Sequence, residues 1–128
     1  MAKKEEHYKN KGTDFSKLAE HIQQYFENDG FSVQSTPVSA QGAVIQVKKG
    51  GFLAGVIDAN RAFTIAISGE PNDFTVQVGI GKWEEHLVVA AAETLLVSDL
   101  FLPVDVGEMV WNKEIESKFF KDLDAFIG

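Results

Sequence analysis

The chain of 128 residues contains no cysteine. That absence removes disulfides, thiolate nucleophiles, Cys-ligated zinc and iron–sulfur clusters together, and it fits a reducing compartment. Basic charge is also scarce. The formal net charge is −7, whereas a protein that binds nucleic acid irrespective of sequence needs a basic face to displace phosphate counterions. Lysines gather only at Lys48-Lys49 and near the N-terminus. Nucleic acid is therefore disfavoured as a partner, and the acidic balance reads as a source of solubility. It also argues against an anionic membrane surface. The apolar block 87–97 falls well short of the roughly 20 residues of a membrane span, and Glu93 interrupts it. Residues 1–11 are charged and lack the apolar centre of a secretory signal. The expectation is a cytoplasmic protein.

Motifs for catalysis are missing too. There is no Gly-x-Ser-x-Gly elbow. His7, His21 and His86 are far apart, without the spacing of a helical zinc site. Val78-Gly79-Ile80-Gly81-Lys82 runs a strand toward a helix start, a place where backbone N–H groups can cradle phosphate. It lacks the full spacing of a nucleotide fingerprint, and Glu84 and Glu85 already put negative charge on the turn that follows. It reads as a plain turn. No cofactor or metal is expected, and a non-enzymatic role is favoured.

What is present is a core. Apolar residues make up 45% of the chain and include ten phenylalanines, enough for one self-sufficient domain. Residues 1–12 mix charge and glycine without apolar period and read as a flexible tail, leaving 13–128 as a single domain. Thr13 or Asp14 can cap a helix whose apolar positions Phe15, Leu18, Ala19, Ile22, Tyr25 and Phe26 share one face, and Gly30 ends it. Strands are predicted at 31–35, 43–48, 62–68 and 74–80. The turn cluster Gly69-Glu-Pro-Asn-Asp73 makes the last two a hairpin. A buried helix is predicted over 87–97, apolar almost all round. A last helix starts near Asp105 with a stripe of Trp111, Ile115, Phe119, Leu123 and Phe126. The order α-β-β-β-β-α-α predicts an α+β two-layer sandwich: a four-stranded antiparallel sheet with helices on one face.

Two features resist absorption into that plan. The Gly-rich loop 49–61 carries Phe52, Leu53, Val56 and Ile57, and the segment 87–104 carries Leu100 and Phe101. Apolar connections in a small domain either fold back as core or mark an interface, so these six residues are the candidate contact surface of a self-associating or protein-binding module. A small-ligand site under the same loop would use Lys49, Asp58, Arg61 and Trp83, side chains suited to an anionic or amphipathic ligand. That is the alternative reading, a ligand-binding domain or small enzyme. Asp58 and Arg61 also fit a simple turn.

The strings Ile45-Gln46-Val47-Lys48-Lys49-Gly50 and Val78-Gly79-Ile80-Gly81-Lys82-Trp83 resemble Ile-Gln-x-Lys-x-Gly and Val-Gly-x-Gly-x-Trp of an uncharacterised group of bacterial α+β domains. Some of that group carry a zinc ribbon or an apolar C-terminal part. The resemblance spans roughly residues 14–90. It implies the fold class and a bacterial source, and it brings no activity and no functional residue.

Overall fold

A computed structural model describes residues 4–48, 61–96, 100–103 and 106–128. Asp14 ends an extended approach and accepts from the backbone N–H groups of Ser16 and Lys17, opening α1 (Phe15–Asn28). A cap of this kind is worth about 1 kcal/mol. At the other end Gly30 adopts φ +87°. The Gly30 N–H bonds the Glu27 carbonyl at 3.0 Å and the Phe31 N–H bonds the Phe26 carbonyl at 3.0 Å. The rings of Phe26 and Phe31 meet edge-on with centroids 5.3 Å apart. This is a Schellman termination with its apolar contact, and it needs the left-handed residue that glycine supplies.

Five antiparallel strands form one open sheet in the order β1-β5-β4-β3-β2: β1 (Lys4–Lys9), β2 (Ser32–Ser35), β3 (Gly42–Lys48), β4 (Arg61–Glu70) and β5 (Asp73–Lys82). The β4–β5 hairpin is predicted correctly and is longer than its apolar residues alone indicate. It pairs from Arg61↔Lys82 to Glu70↔Asp73 around Pro71-Asn72. The four-strand expectation is one short. Residues Lys4–Lys9, inside the segment read as a flexible tail, form β1 on the free edge of β5. Charge hid this strand, because an edge strand that faces water needs only one anchor. Tyr8 supplies it, stacking on Phe74 at 5.2 Å.

Side chains alternate across the sheet. One face presents Val47, Phe63, Ile65, Ile67, Phe74, Val76, Val78 and Ile80 to α1 and to α3 (Val106–Ile127). Phe119 of α3 lies at the centre, within ring distance of Phe26, Phe63 and Tyr25. Phe120 and Leu123 are buried beside it. His21 Nε2 and Asp122 Oδ2 lie 2.7 Å apart, and His21 stacks on Phe126 at 3.9 Å, tying α1 to the end of α3.

Helices were expected on one face only, and here the sheet departs from the two-layer plan. The chain after β5 crosses the opposite face. A short 3₁₀ turn, Leu87–Val89, packs on β2, and α2 (Ala92–Leu96) packs on β3. Leu87 and Ala92 are buried outside the main cluster. The predicted helix over 87–97 is therefore two pieces separated at Ala90, whose ψ of 147° is extended. The β-branched pair Val88-Val89 gives little helical propensity to resist that break. Among the described residues no helix is long and apolar enough to cross a membrane.

Candidate functional site

Residues 45–48 of β3 and 78–82 of β5 sit on strands separated only by β4, and the fold brings the first into contact with the end of the second. Gln46 projects from β3 toward the second face and is 1% exposed. Its Nε2 donates to the Lys82 carbonyl at 2.7 Å and to Thr64 Oγ1 at 3.1 Å. Its Oε1 accepts from the Glu84 N–H at 2.8 Å and from Gln34 Nε2 at 3.1 Å. The amide orientation is fixed by chemistry, since a carbonyl can only accept and a backbone N–H can only donate. Thr64 passes its own hydroxyl proton to the Ala62 carbonyl at 3.1 Å, and Gln34 also donates to the Glu84 carbonyl at 2.6 Å. Every donor and acceptor of the buried amide is used, as burial in low dielectric demands.

This latch pins the backbone on both sides of Trp83. The indole is half-buried, and Lys48 Nζ stands 4.6 Å from its ring centroid. Next to it Gly81 lets two chains approach closely. A Cβ there would come within 2.6 Å of both the Leu100 carbonyl oxygen and Thr64 Oγ1. Phe101 bridges Gly81, and the Leu102 N–H bonds the Ile80 carbonyl at 2.8 Å. The end of β5 that β1 does not reach is thus occupied by residues 100–102.

Beyond the latch a cleft of about 420 Å³ is lined by Lys82, Trp83, Glu84, Glu85 and His86, with Ala90 and Leu95 as its apolar wall. Of the proposed ligand set, Trp83 lines this cleft. Arg61 lies opposite Lys82 in the β4–β5 register and donates from Nη1 to the Pro103 carbonyl at 2.9 Å. Lys49 and Asp58 lie outside the described residues, as do Phe52, Leu53, Val56 and Ile57 of the proposed contact surface. Leu100 and Phe101 are half-buried along β5. The sequence pointed to the apolar character of 87–104 but missed which residues face water. Val88 is 60% exposed and Val89 77% exposed. Gln46 was missed as well. Its signal was an amide in the middle of an otherwise apolar strand.

Elsewhere, the Tyr8 hydroxyl lies 2.8 Å from Asp124 and 3.0 Å from Glu6. Burial, followed by these carboxylate contacts, pushes its pKa far above the usual phenol range. On the exposed face His7 contacts Asp73. Among the described residues no group of three or more His, Asp or Glu is arranged to hold a metal ion. The arrangement around Trp83 suits binding: an aromatic wall, charges of both signs and a backbone held on either side by the Gln46 amide. No protein family, curated protein or solved structure matches this chain.

Proposed function

We propose that this chain is a non-catalytic binding module that assembles with copies of itself through the apolar surface of segment 87–104. One observation carries the reading. Leu87 is buried under the second face, and it holds Val88 and Val89 out in solvent on a short turn with nothing to cover them among the described residues. Adjacent exposed valines cost solubility and mark contact surfaces when they lie on an ordered element. Light scattering after gel filtration tests it. Assembly that rises with concentration and is weakened in Val88→Asp/Val89→Asp is the expected result; a strict monomer at high concentration removes the proposal.

A second reading rests on the Trp83 cleft, whose size and mixed lining fit a small amphipathic or anionic ligand. A thermal-shift screen against such compounds tests it. Stabilisation by one class of ligand, lost in Trp83→Ala and reduced in Arg61→Ala, is the expected outcome. A screen without stabilisation removes this reading.

A further inference from the structure

The sheet has two edges, and they are chemically unlike. The β1 edge reads Lys4-Glu5-Glu6-His7-Tyr8-Lys9, a charged edge of the kind that keeps sheets from pairing. The β2 edge reads Ser32-Val33-Gln34-Ser35. The whole hairpin from residue 31 to residue 47 carries no charged side chain, in a protein of net charge −7. Copies of so acidic a chain repel across most of their surfaces, and β2 is where that repulsion is weakest.

The register decides which backbone groups of β2 are available. Thr36 N–H bonds the Val44 carbonyl at 2.9 Å, so the hydrogen-bonded pairs toward β3 are the even residues of β2, opposite Val44, Gln46 and Lys48. The next ladder has the matching phase, because the Gly69 N–H bonds the Gln41 carbonyl at 3.1 Å and the odd residues of β3 therefore face β4. Val33 and Ser35 consequently direct their N–H and C=O groups away from the sheet. No described residue accepts or donates to them there.

We propose that β2 is the assembly edge, and that its occupant is β2 of a second copy, antiparallel about a two-fold axis through Gln34. In that register Val33 of each copy exchanges both backbone hydrogen bonds with Ser35 of the other. Pro37, which lacks an N–H, ends the pairing beyond Thr36. The axis is perpendicular to the sheet, so α1 and α3 of both copies lie on one side of a continuous ten-stranded sheet, and the 3₁₀ turn and α2 of both copies on the other. The 3₁₀ turn packs on β2, which brings Val88 and Val89 of each copy beside the joint. A strand edge and an apolar turn thus define one contact surface. This inference rests on the assembly reading above and specifies its geometry.

Ser35→Pro tests it. The substitution removes an N–H that the monomer does not use, at an edge position where proline is tolerated. The full chain and the variant are compared by light scattering and sedimentation velocity over a wide concentration range, with far-UV circular dichroism as the check on fold. The expected result is a wild-type mass that doubles with concentration and a folded Ser35→Pro that keeps the monomer mass. A folded Ser35→Pro that still doubles overturns the β2 joint and leaves the assembly reading standing. A wild type that never doubles overturns both.

Gln34→Cys gives a second measurement should the proline variant not fold. Residues directly opposite in a non-hydrogen-bonded antiparallel pair sit at about 4.5 Å, within disulfide reach, and the chain has no other cysteine. Mild oxidation is expected to give a covalent dimer for Gln34→Cys and monomer for Lys9→Cys on the opposite edge. Equal cross-linking of the two, or none at residue 34, overturns the proposal.

Discussion

Replacing Gln46 by alanine isolates the latch that holds Trp83 in place. The substitution removes one bond from each of four partners: Thr64 Oγ1, which still donates to the Ala62 carbonyl, the Lys82 carbonyl, the Glu84 N–H, and the Gln34 amide, which still donates to the Glu84 carbonyl. Only Thr64 is fully buried, and Lys82 is exposed while Gln34 and Glu84 are half-buried, so water can serve those three. A buried polar group left unpaired costs about 1–3 kcal/mol, and the space vacated by the side chain adds a cavity cost. A total of roughly 2–4 kcal/mol follows, a large part of the 5–15 kcal/mol of a typical domain. Urea unfolding monitored by far-UV circular dichroism measures it, and hydrogen exchange at the Glu84 amide reports whether the loss is local. Gln46→Glu adds a sign. Its carboxylate cannot donate to the Lys82 carbonyl, and burial raises its pKa in the fold above the unfolded value of about 4.3. A raised acid pKa means stability present below that value and lost as pH rises through the folded pKa. The gap between Gln46→Glu and wild type should therefore widen from acid to neutral pH. A Gln46→Ala variant within about 0.5 kcal/mol of wild type, with the Glu84 amide as protected as before, would refute the reasoning.

Three further outcomes follow from geometry described above. Phe119→Ala empties the centre of the helix-facing core and should cost about 3–5 kcal/mol, read from the urea midpoint at unchanged slope. Gly81→Ala drives a Cβ against the Leu100 carbonyl and Thr64, with an expected loss of about 1–3 kcal/mol and faster exchange at the Leu102 amide. Tyr8→Phe should flatten the alkaline limb of stability. The folded pKa of Tyr8 is raised by burial and by Asp124 and Glu6, so its contribution is full below the unfolded value of about 10 and declines as pH rises beyond it. Wild type should lose stability faster than Tyr8→Phe above that pH, in urea midpoints taken across the range.

How legible these features were in the sequence depended on how locally each is determined. The helix α1 was readable to within a residue, because Asp14 and Gly30 act on groups a turn away and its apolar face repeats at helical spacing. The β4–β5 hairpin was readable for the same reason: Pro71-Asn72 makes the turn and alternation sets the faces. β1 was not, since a charged strand is specified by its partner across the sheet rather than by its own pattern. The second face misled differently. Thr64, Ala66, Ser68, Thr75 and Gln77 have the pattern of a mild polar face, yet Thr64 and Ala66 are buried, as are Ala62, Gly79 and Gly81 beside them, and the other three are half-buried. Small side chains there admit a crossing backbone, which no periodicity within 83–102 announces. The half of the candidate site carried by Gln46, Lys48, Gly81 and Trp83 was visible as two separate strings, and their convergence only as a fold.

The clasp between the two ends of the described chain has a consequence for the order of events during synthesis. Lys4 Nζ lies 5.1 Å from the Phe120 ring centroid, Tyr8 meets Asp124, and Lys11 Nζ bonds the Gly128 carbonyl at 2.6 Å. β1 leaves the ribosome before both elements that hold it, β5 and the far end of α3, have been made. Contacts so distant in sequence form late, and an apolar strand left waiting invites pairing with other chains. Five of the six residues of β1 are Lys, Glu or His. The composition that conceals this strand from pattern reading is also what lets it wait in water until its place in the sheet exists.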